Sequence, residues 1–461
     1  MLLHNSFTKQ KQEFVPMTPG KIKLYVCGIT VYDYCHIGHA RMATAFDMMV
    51  RYWRYRGFDV TFVRNITDID DKIIKRAAEN KETCDELTAR YSLAMQEDFD
   101  ALNLLRPDIE PRATQHIPTI IQMISRLIHN NYAYIADNGD VYFAVNEFKT
   151  YGALSHQDIS ALQSGARIDV DEAKRSPLDF ALWKKAKPGE PSWPSPFGDG
   201  RPGWHIECSA MSTYCLGDTF DIHGGGHDLL FPHHENERAQ SEGCTEKTFV
   251  NYWLHAGFVQ VNEEKMSKSL GNFFTIRDVL QTVDTQTLRY FLLASHYRSP
   301  INFNDHALTQ ARASLATLYT ALRDGAPAAD THTLNNTTYH QLFIDAMDDD
   351  FNTPLAISIL FNLANDIHRE QKTNPQHAAQ LAAILQELGG VLGLLQDSPI
   401  AFLQGNKMDA TQIATIEHLI AQRNQARAEK NWSQADYYRD QLTAIGVVLE
   451  DTANGTSWRV E

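Results

Sequence analysis

The stretch His36-Ile37-Gly38-His39 sets two imidazoles around a residue with no side chain. Imidazole N–H groups can follow charge as it develops on a phosphate oxygen. The bare backbone at Gly38 would let a flat group such as adenine lie against it. Far downstream, Lys265-Met266-Ser267-Lys268-Ser269 runs into Leu270-Gly271-Asn272. Two lysines among hydroxyls describe a cationic loop able to close over a polyphosphate. Between these lies His223-Gly224-Gly225-Gly226-His227-Asp228, where Gly225 and Gly226 would allow close backbone approach and Asp228 could hold ribose hydroxyls. His233 and Glu237, at i and i+4, share one helix face and could share a metal. Each stretch also has a plainer reading. These are a helix start that carries two histidines, a solvated basic turn, a flexible glycine turn and a solvated histidine–carboxylate pair.

Elements that would position these residues follow from periodicity. Residues 24–29 form an apolar, β-rich run that fits a buried parallel strand, and residues 40–55 continue as a helix with one apolar face. A strand handing over to a helix here would leave backbone N–H groups and a positive dipole end facing a phosphate. Residues 59–64 give a second strand, and Thr67 and Asp68 follow at its carboxyl end, where α/β sheets hold ligands. Asp68 or Asp70 serves equally as a cap for the next helix. Residues 132–202 break the pattern with short strands and Pro/Gly-rich runs, as an insertion would. Residues 219–222 resume as a strand.

Beyond the lysine loop the chain turns helical. A segment over 276–297 is followed by amphipathic runs around 308–325 and 378–395, with Asn352 or Thr353 as a cap before Pro354. The end differs again: helices over 411–429 and 433–445, a strand at 447–449, and an Asn454-Gly455 hairpin turn leading to Trp458. Arg423, Arg427, Lys430, Trp432 and Arg439 combine cations with an aromatic ring there, a way to hold unpaired RNA bases. A stabilising cap with solvated charges is the alternative.

The 461 residues suffice for three or four domains. A net charge of −15 argues against a protein coated in basic surface for loose nucleic-acid binding, while leaving room for a local basic stripe. No apolar run approaches the ~20 residues of a membrane helix, and the first residues lack a signal-peptide core. A cytoplasmic location is therefore expected. The six cysteines are scattered without a CxxC pair, so their spacing does not suggest zinc.

The histidine stretch and the lysine loop, in this order, match the pair that marks class I aminoacyl-tRNA synthetases. Cys27, the run Gly203-Trp204-His205-Ile206-Glu207-Cys208 and the run Pro232-His233-His234-Glu235-Asn236-Glu237 resemble the cysteinyl-tRNA synthetase family over essentially the whole chain. That resemblance implies an α/β fold: a Rossmann-like parallel-sheet catalytic domain with an insertion, then a helical bundle and a small C-terminal anticodon-binding domain. The expected boundaries are 1–131 and 203–260 for the catalytic halves and 132–202 for an insertion that holds the acceptor end of the tRNA. Residues 261–304 would carry the lysine loop and connecting helices, 305–400 the bundle and 401–461 the anticodon-binding domain.

The resemblance also implies a two-step ligase that forms cysteinyl adenylate from cysteine and ATP and passes the acyl group to tRNA(Cys). Catalytic work would fall to His36, His39, Lys265 and Lys268, with Lys268 on the leaving pyrophosphate. Gly38, Gly225, Gly226, Asp228 and Lys268 would bind ATP. Mg²⁺ would arrive on ATP, without an identifiable protein ligand. Carried over from the family, one Zn²⁺ per chain would be held by Cys27, Cys208, His233 and Glu237. Four protein ligands ordinarily make a closed structural site; the family reading has zinc accept the substrate thiol and so reject serine. Thr67, Trp204 and His223 would wall the amino-acid pocket, and Arg427, Trp432 and Arg439 would meet the tRNA. A monomer is expected. A cysteinyl-adenylate ligase acting on an amino sugar would not need residues 400–461, and a non-catalytic RNA-binding zinc protein would need neither motif. Small nucleotidyltransferases share the histidine motif but have much shorter chains.

Overall fold

The computed structural model describes residues 1–158, 173–265, 272–327, 338–405, 410–452 and 455–460. The chain forms two compact units. The first comprises Met1–Gln281 with Ser295–Phe303 and Ala346–Thr353. At its centre, four parallel strands lie in the order Val250–Ala256, Phe220–Gly226, Lys21–Thr30, Asp59–Thr67. The two inner strands are buried along most of their length, as a sheet covered on both faces requires. Helix Ile37–Tyr55 follows the Lys21–Thr30 strand and is itself largely buried.

The sheet is interrupted where it matters. The register between Lys21–Thr30 and Asp59–Thr67 shifts between Val26 and Ile29, placing Cys27 and Gly28 in an irregularity. Gly28 N–H leaves the ladder and donates to Asn65 Oδ1 at 2.7 Å. A Cβ at Gly28 would fall 1.6 Å from the Asn65 carbonyl oxygen, so only glycine fits.

Gly224, Gly225 and Gly226 lie within a strand, not in the turn that glycine runs usually signal. They pair with Leu254, His255 and Ala256 of the neighbouring strand. Their missing side chains make room for packing: a Cβ at Gly224 would meet the Phe46 ring at 2.3 Å.

Residues 132–202 contribute a separate antiparallel sheet, in the order Ala133–Ile135, Val141–Phe143, Phe180–Lys185, Gly200–Pro202. A third, small sheet joins Val259–Val261 to Glu264–Lys265 and Ile301–Phe303. Lys265 ends its strand, while Met266, Ser267, Lys268, Ser269, Leu270 and Gly271 lie outside the described residues.

The second unit comprises Thr282–Ala294, Asn304–Asp345 and Pro354–Glu461. Helix Asp305–Gly325 starts where Asn304 accepts a bond from Ala307 N–H at 2.8 Å, and Pro375–Val391 follows an Asn374 cap. The segment read over 276–297 is two helices, Ile276–Thr282 and Thr285–Leu293. Asp284 divides them by capping the second through Thr287 N–H. At the end, helices Ala410–Ala428 and Trp432–Ala444 pack with the hairpin Val447–Thr452/Gly455–Val460 around Ile416, Ile420, Leu442, Val447 and Trp458. Among the described residues, no helix is long and apolar enough to cross a membrane.

Candidate active site and metal centre

His36 is the N-cap of helix Ile37–Tyr55. Its Nδ1 accepts from Gly38 N–H at 3.1 Å and His39 N–H at 3.4 Å, while His39 Nδ1 accepts from His36 N–H at 3.2 Å. The two rings stack with centroids 3.6 Å apart. This is a capping box built from imidazoles, where Ser/Thr and Glu are usual. Ile37 N–H is taken by the Phe274 carbonyl.

The first-turn N–H groups are therefore consumed inside the protein. The expectation that they face a phosphate is corrected. Because each Nδ1 accepts, a neutral ring carries its proton on Nε2. Burial, reinforced by His36, holds the pKa of His39 well below the ordinary histidine value, so this ring is neutral at pH 7.

A cavity of about 450 Å³ opens beside this cap. Gly28, His36, Gly38, His39, Trp204, Gly226 and Asp228 line it, together with Tyr32, Lys72 and Phe273, which periodicity did not single out. Gly225 stands apart: a Cβ there would meet His234 and Leu229 at 2.9 Å, so its smallness serves packing. Asp70, not Asp68, caps the helix Asp71–Asn80, through Lys72 N–H. Asp68 instead accepts from Thr114 N–H and Oγ1 at 2.9 and 2.7 Å. Thr67 is buried and accepts from Asn65 Nδ2 at 3.3 Å.

Cys27, Cys208, His233 and Glu237 come together from separate elements, their ligand atoms all within 4.8 Å of one another and all four residues buried. Cys27 comes from the strand irregularity, Cys208 from helix Trp204–Leu216 and Glu237 from the first turn of Glu235–Thr245. His233 sits in the short turn Leu230–His234, just ahead of that helix. Cys27 Sγ lies 3.8 Å from Cys208 Sγ and 3.2 Å from Glu237 Oε1, with His233 Nε2 3.0 Å from the same oxygen.

Charge is already arranged in the cluster. A hydrogen bond from Cys27, with help from His233, brings the Cys208 thiol down to about 6 against the cost of burial. Burial raises Cys27 well above the thiol range. Burial works against the charged form of His233, but Glu237 and Cys208 raise it to about 10. Burial alone would raise Glu237; His223 and His233 hold it well below the carboxylate range instead. Two sulfurs, an imidazole and a carboxylate in this arrangement suit Zn²⁺. Cys27 and Glu237 also come within 4.8 Å of ring nitrogens of His223 and His234, a second foursome poorer in sulfur.

Trp204 covers the cluster, its ring centroid 4.4 Å from that of His233. His223 lies behind it, its Nε2 2.9 Å from Glu237 Oε2 and its ring stacked on Trp253. A histidine relay backs the site: His234 Nδ1 meets His255 Nε2 at 2.8 Å, and His255 Nδ1 meets Ser6 Oγ at 2.7 Å. His205 Nδ1 similarly meets His233 Nδ1 at 2.9 Å. Asn65, His205, His234 and His255 were not assigned from sequence. His205 and His234 at least sit inside the quoted motifs.

In the second unit, Arg427 pairs with Asp451, which Arg423 also grips through both carboxylate oxygens. Arg439 pairs with Asp436 at 3.2 Å. Trp432 begins its helix and is 62% exposed.

A family model for the tRNA synthetases class I (C) catalytic domain matches residues 13–313, which places this fold and site among the class I synthetases. Models for the DALR domain and for the cysteinyl-tRNA ligase anticodon binding domain match residues 342–396 and 413–459. The chain is 60% identical over 458 residues to a cysteine–tRNA ligase of Tolumonas auensis, covering 99% of both chains. It is 59% identical over 459 residues to one of Idiomarina loihiensis, covering 100% of this chain and 99% of the relative. In fold it is similar to the Mycobacterium tuberculosis methionyl-tRNA synthetase in complex with methionyl-adenylate. That match has a TM-score of 0.59 at 16% identity and covers 81% of this chain and 89% of that one. The chain belongs to the cysteine–tRNA ligase family.

Proposed function

We propose that the chain activates cysteine with ATP and passes the cysteinyl group to tRNA(Cys), with zinc selecting the substrate thiol. One observation carries this reading. A buried Cys27–Cys208–His233–Glu237 cluster lies under Trp204, and Trp204 also walls the cavity at the histidine cap. An amino acid held at the cluster can thus present its carboxylate to a nucleotide in the cavity.

In the first step a carboxylate oxygen attacks the α-phosphorus of ATP, and the bond to pyrophosphate breaks. No protein nucleophile is required, so the chain contributes position and charge. His36 and His39 donate from Nε2 to the phosphate oxygens, their tautomers fixed by the capping box. Gly38 and Gly226 let the nucleotide lie on the backbone and Asp228 holds ribose hydroxyls. Lys265 and Lys268 neutralise the leaving pyrophosphate, which travels with Mg²⁺. In the second step the terminal ribose hydroxyl attacks the acyl carbon and AMP leaves.

Zinc held by Cys27, Cys208, His233 and Glu237 supplies a Lewis acid that favours a thiolate over a hydroxyl, so cysteine is chosen over serine. Thr67, Trp204 and His223 surround that position. Residues 132–202 hold the acceptor end, and Arg427, Trp432 and Arg439 meet the anticodon region. A monomer working in the cytoplasm completes the reading.

Cysteine-dependent exchange of pyrophosphate into ATP, with serine as control, tests it. Exchange with cysteine alone and about one zinc per chain are expected, with Cys208→Ser losing both metal and cysteine binding. Exchange that persists in zinc-free protein would refute the metal assignment.

A further inference from the structure

Ala346–Thr353 belongs to the first unit, although the chain before and after it belongs to the second. Its backbone is strained at the centre. Asp350 and Phe351 hold φ values of 61° and 53°, a region that residues with side chains rarely adopt. Such strain persists only where the surroundings over-determine it, and it gathers at functional sites. Both residues are wholly buried.

Three consecutive carboxylates in this segment reach different partners. Asp348 Oδ1 accepts from Tyr52 Oη and Arg56 Nη1, both at 2.6 Å. Asp349 makes an exposed pair with Lys11. Asp350 Oδ1 accepts from His4 N–H and Tyr297 Oη, each at 2.9 Å. Its Oδ2 accepts from Arg298 Nε and Nη2, each at 2.8 Å. The Phe351 ring packs edge-to-face with Trp53, centroids 5.1 Å apart. Tyr52 and Trp53 belong to the helix that the His36 cap begins.

The partners of Asp350 lead to the cavity beside that cap. Gly257 N–H donates to the Tyr297 carbonyl at 2.8 Å, and Ile301 N–H to the Phe258 carbonyl at 2.9 Å. A Cβ at Gly257 would fall 2.4 Å from the Ser299 carbonyl oxygen and 2.6 Å from that of Arg298, so the two backbones lie flush. Ala256, Gly257, Phe258 and Val259 form one wall of the cavity that His36 and His39 also line. The same segment holds the cap's own helix. Buried Arg41 donates through Nη2 to the carbonyls of His296 and Ser299 at 2.6 and 3.2 Å. Ser295–Phe303 thus carries the wall and grips Arg41, and Asp350 fixes that segment through two of its side chains.

We infer that Asp350 is a positioning residue for nucleotide binding: by gripping Tyr297 and Arg298 it sets the 256–259 wall against the histidine cap. The inference rests on the proposed reading of this cavity as the ATP site. Asp350 acts through Ser295–Phe303 and not on the reacting atoms. The backbone strain then has a use. Left-handed turns at 350 and 351 let one short segment aim a carboxylate at Tyr297 and Arg298 and a ring at Trp53.

The test is cysteine-dependent pyrophosphate exchange by the full chain, with KM measured separately for ATP and cysteine on protein shown to be folded. Asp350→Asn keeps the shape but loses the charge that holds Arg298. It is expected to raise KM for ATP about fivefold or more and to lower kcat about tenfold, as misplacement of a binding wall does. KM for cysteine and zinc content should stay at wild-type values. Tyr297→Phe removes one hydroxyl, keeps the ring, and should shift the same two parameters by a smaller factor. Lys11→Ala, which cuts only the exposed pair with Asp349, should change neither. Equal rises in both KM values would make Asp350 structural and overturn the inference. So would wild-type ATP parameters in the two variants, or an equal ATP defect in Lys11→Ala. If Asp350→Asn does not fold, Tyr297→Phe decides alone. Wild-type protein without cysteine-dependent exchange would refute the ATP reading and the inference with it, whereas normal exchange with unshifted variants refutes the role of Asp350 alone.

Discussion

Replacing His36 separates two jobs that one ring performs. Its Nδ1 takes the N–H groups of Gly38 at 3.1 Å and His39 at 3.4 Å, and its face stacks on His39 at 3.6 Å. Loss of an N-cap costs about 1 kcal/mol, and loss of a stacked ring pair about 0.5–1.5 kcal/mol. His36→Ala should therefore destabilise the catalytic unit by about 2 kcal/mol. Asparagine is among the best N-caps, so His36→Asn should recover about half of that through its side-chain oxygen. Neither variant has an Nε2–H to aim at a phosphate. Both should slow cysteine-dependent pyrophosphate exchange by roughly two to three powers of ten, as for removal of one transition-state donor. Urea unfolding gives the stability of each variant, and exchange at saturating cysteine and ATP gives the rate. If His36→Asn exchanges pyrophosphate at close to the wild-type rate while His36→Ala does not, the ring is only a cap and its catalytic role is refuted.

Lys268→Ala should slow adenylate formation by roughly two powers of ten with little change in cysteine affinity; a normal activation rate would remove Lys268 from the mechanism. Trp432→Ala should weaken tRNA charging ten- to a hundredfold, since base stacking on an aromatic ring is worth ~1–3 kcal/mol. Cysteine activation should be untouched, and equal losses in both steps would make Trp432 structural. Acid should destabilise the fold in a defined window. Burial holds His39 well below its ordinary value and His255 at about 3, so both are neutral when folded, whereas the unfolded chain takes up a proton at each near pH 6.5. Stability from these rings is complete above about pH 6.5 and falls by about 1.4 kcal/mol per ring per pH unit below it, until the folded-state values are reached. Urea midpoints at pH 7 and 5.5 measure the loss, and equal midpoints would contradict it.

Local structure was legible in this sequence where a motif sets its own backbone. The strand read over 24–29 and the helix read over 40–55 are present as Lys21–Thr30 and Ile37–Tyr55, because apolar periodicity reports burial directly. The glycine run misled for the same reason that periodicity works elsewhere. Glycine propensity describes a turn, but Gly224–Gly226 are held in a strand by neighbours that arrive from elsewhere in the chain, Phe46 and His234 among them. The two histidines suggested phosphate chemistry, yet nothing local announced that their Nδ1 atoms would consume the N–H groups thought to meet that phosphate.

The cluster of Cys27, Cys208, His233 and Glu237 lies beyond local reading altogether. Cys27 and Cys208 are 181 residues apart, and their sulfurs come to 3.8 Å only through the sheet. Spacing could not suggest the pair; the family resemblance did. What makes the meeting possible is an exchange of hydrogen bonds at one strand position. A regular ladder would keep Gly28 N–H on the strand, but here it turns to Asn65 Oδ1. The Cys208 thiol lies 3.7 Å from that same oxygen. Asn65 therefore ties the strand irregularity to the helix that brings Cys208, and the absent side chain of Gly28 lets the two strands close over it. A cysteine in an uninterrupted strand would have its backbone orientation fixed by the ladder on both sides. The irregularity frees Cys27 from that constraint, so the defect in the sheet is what makes a four-residue donor set geometrically attainable.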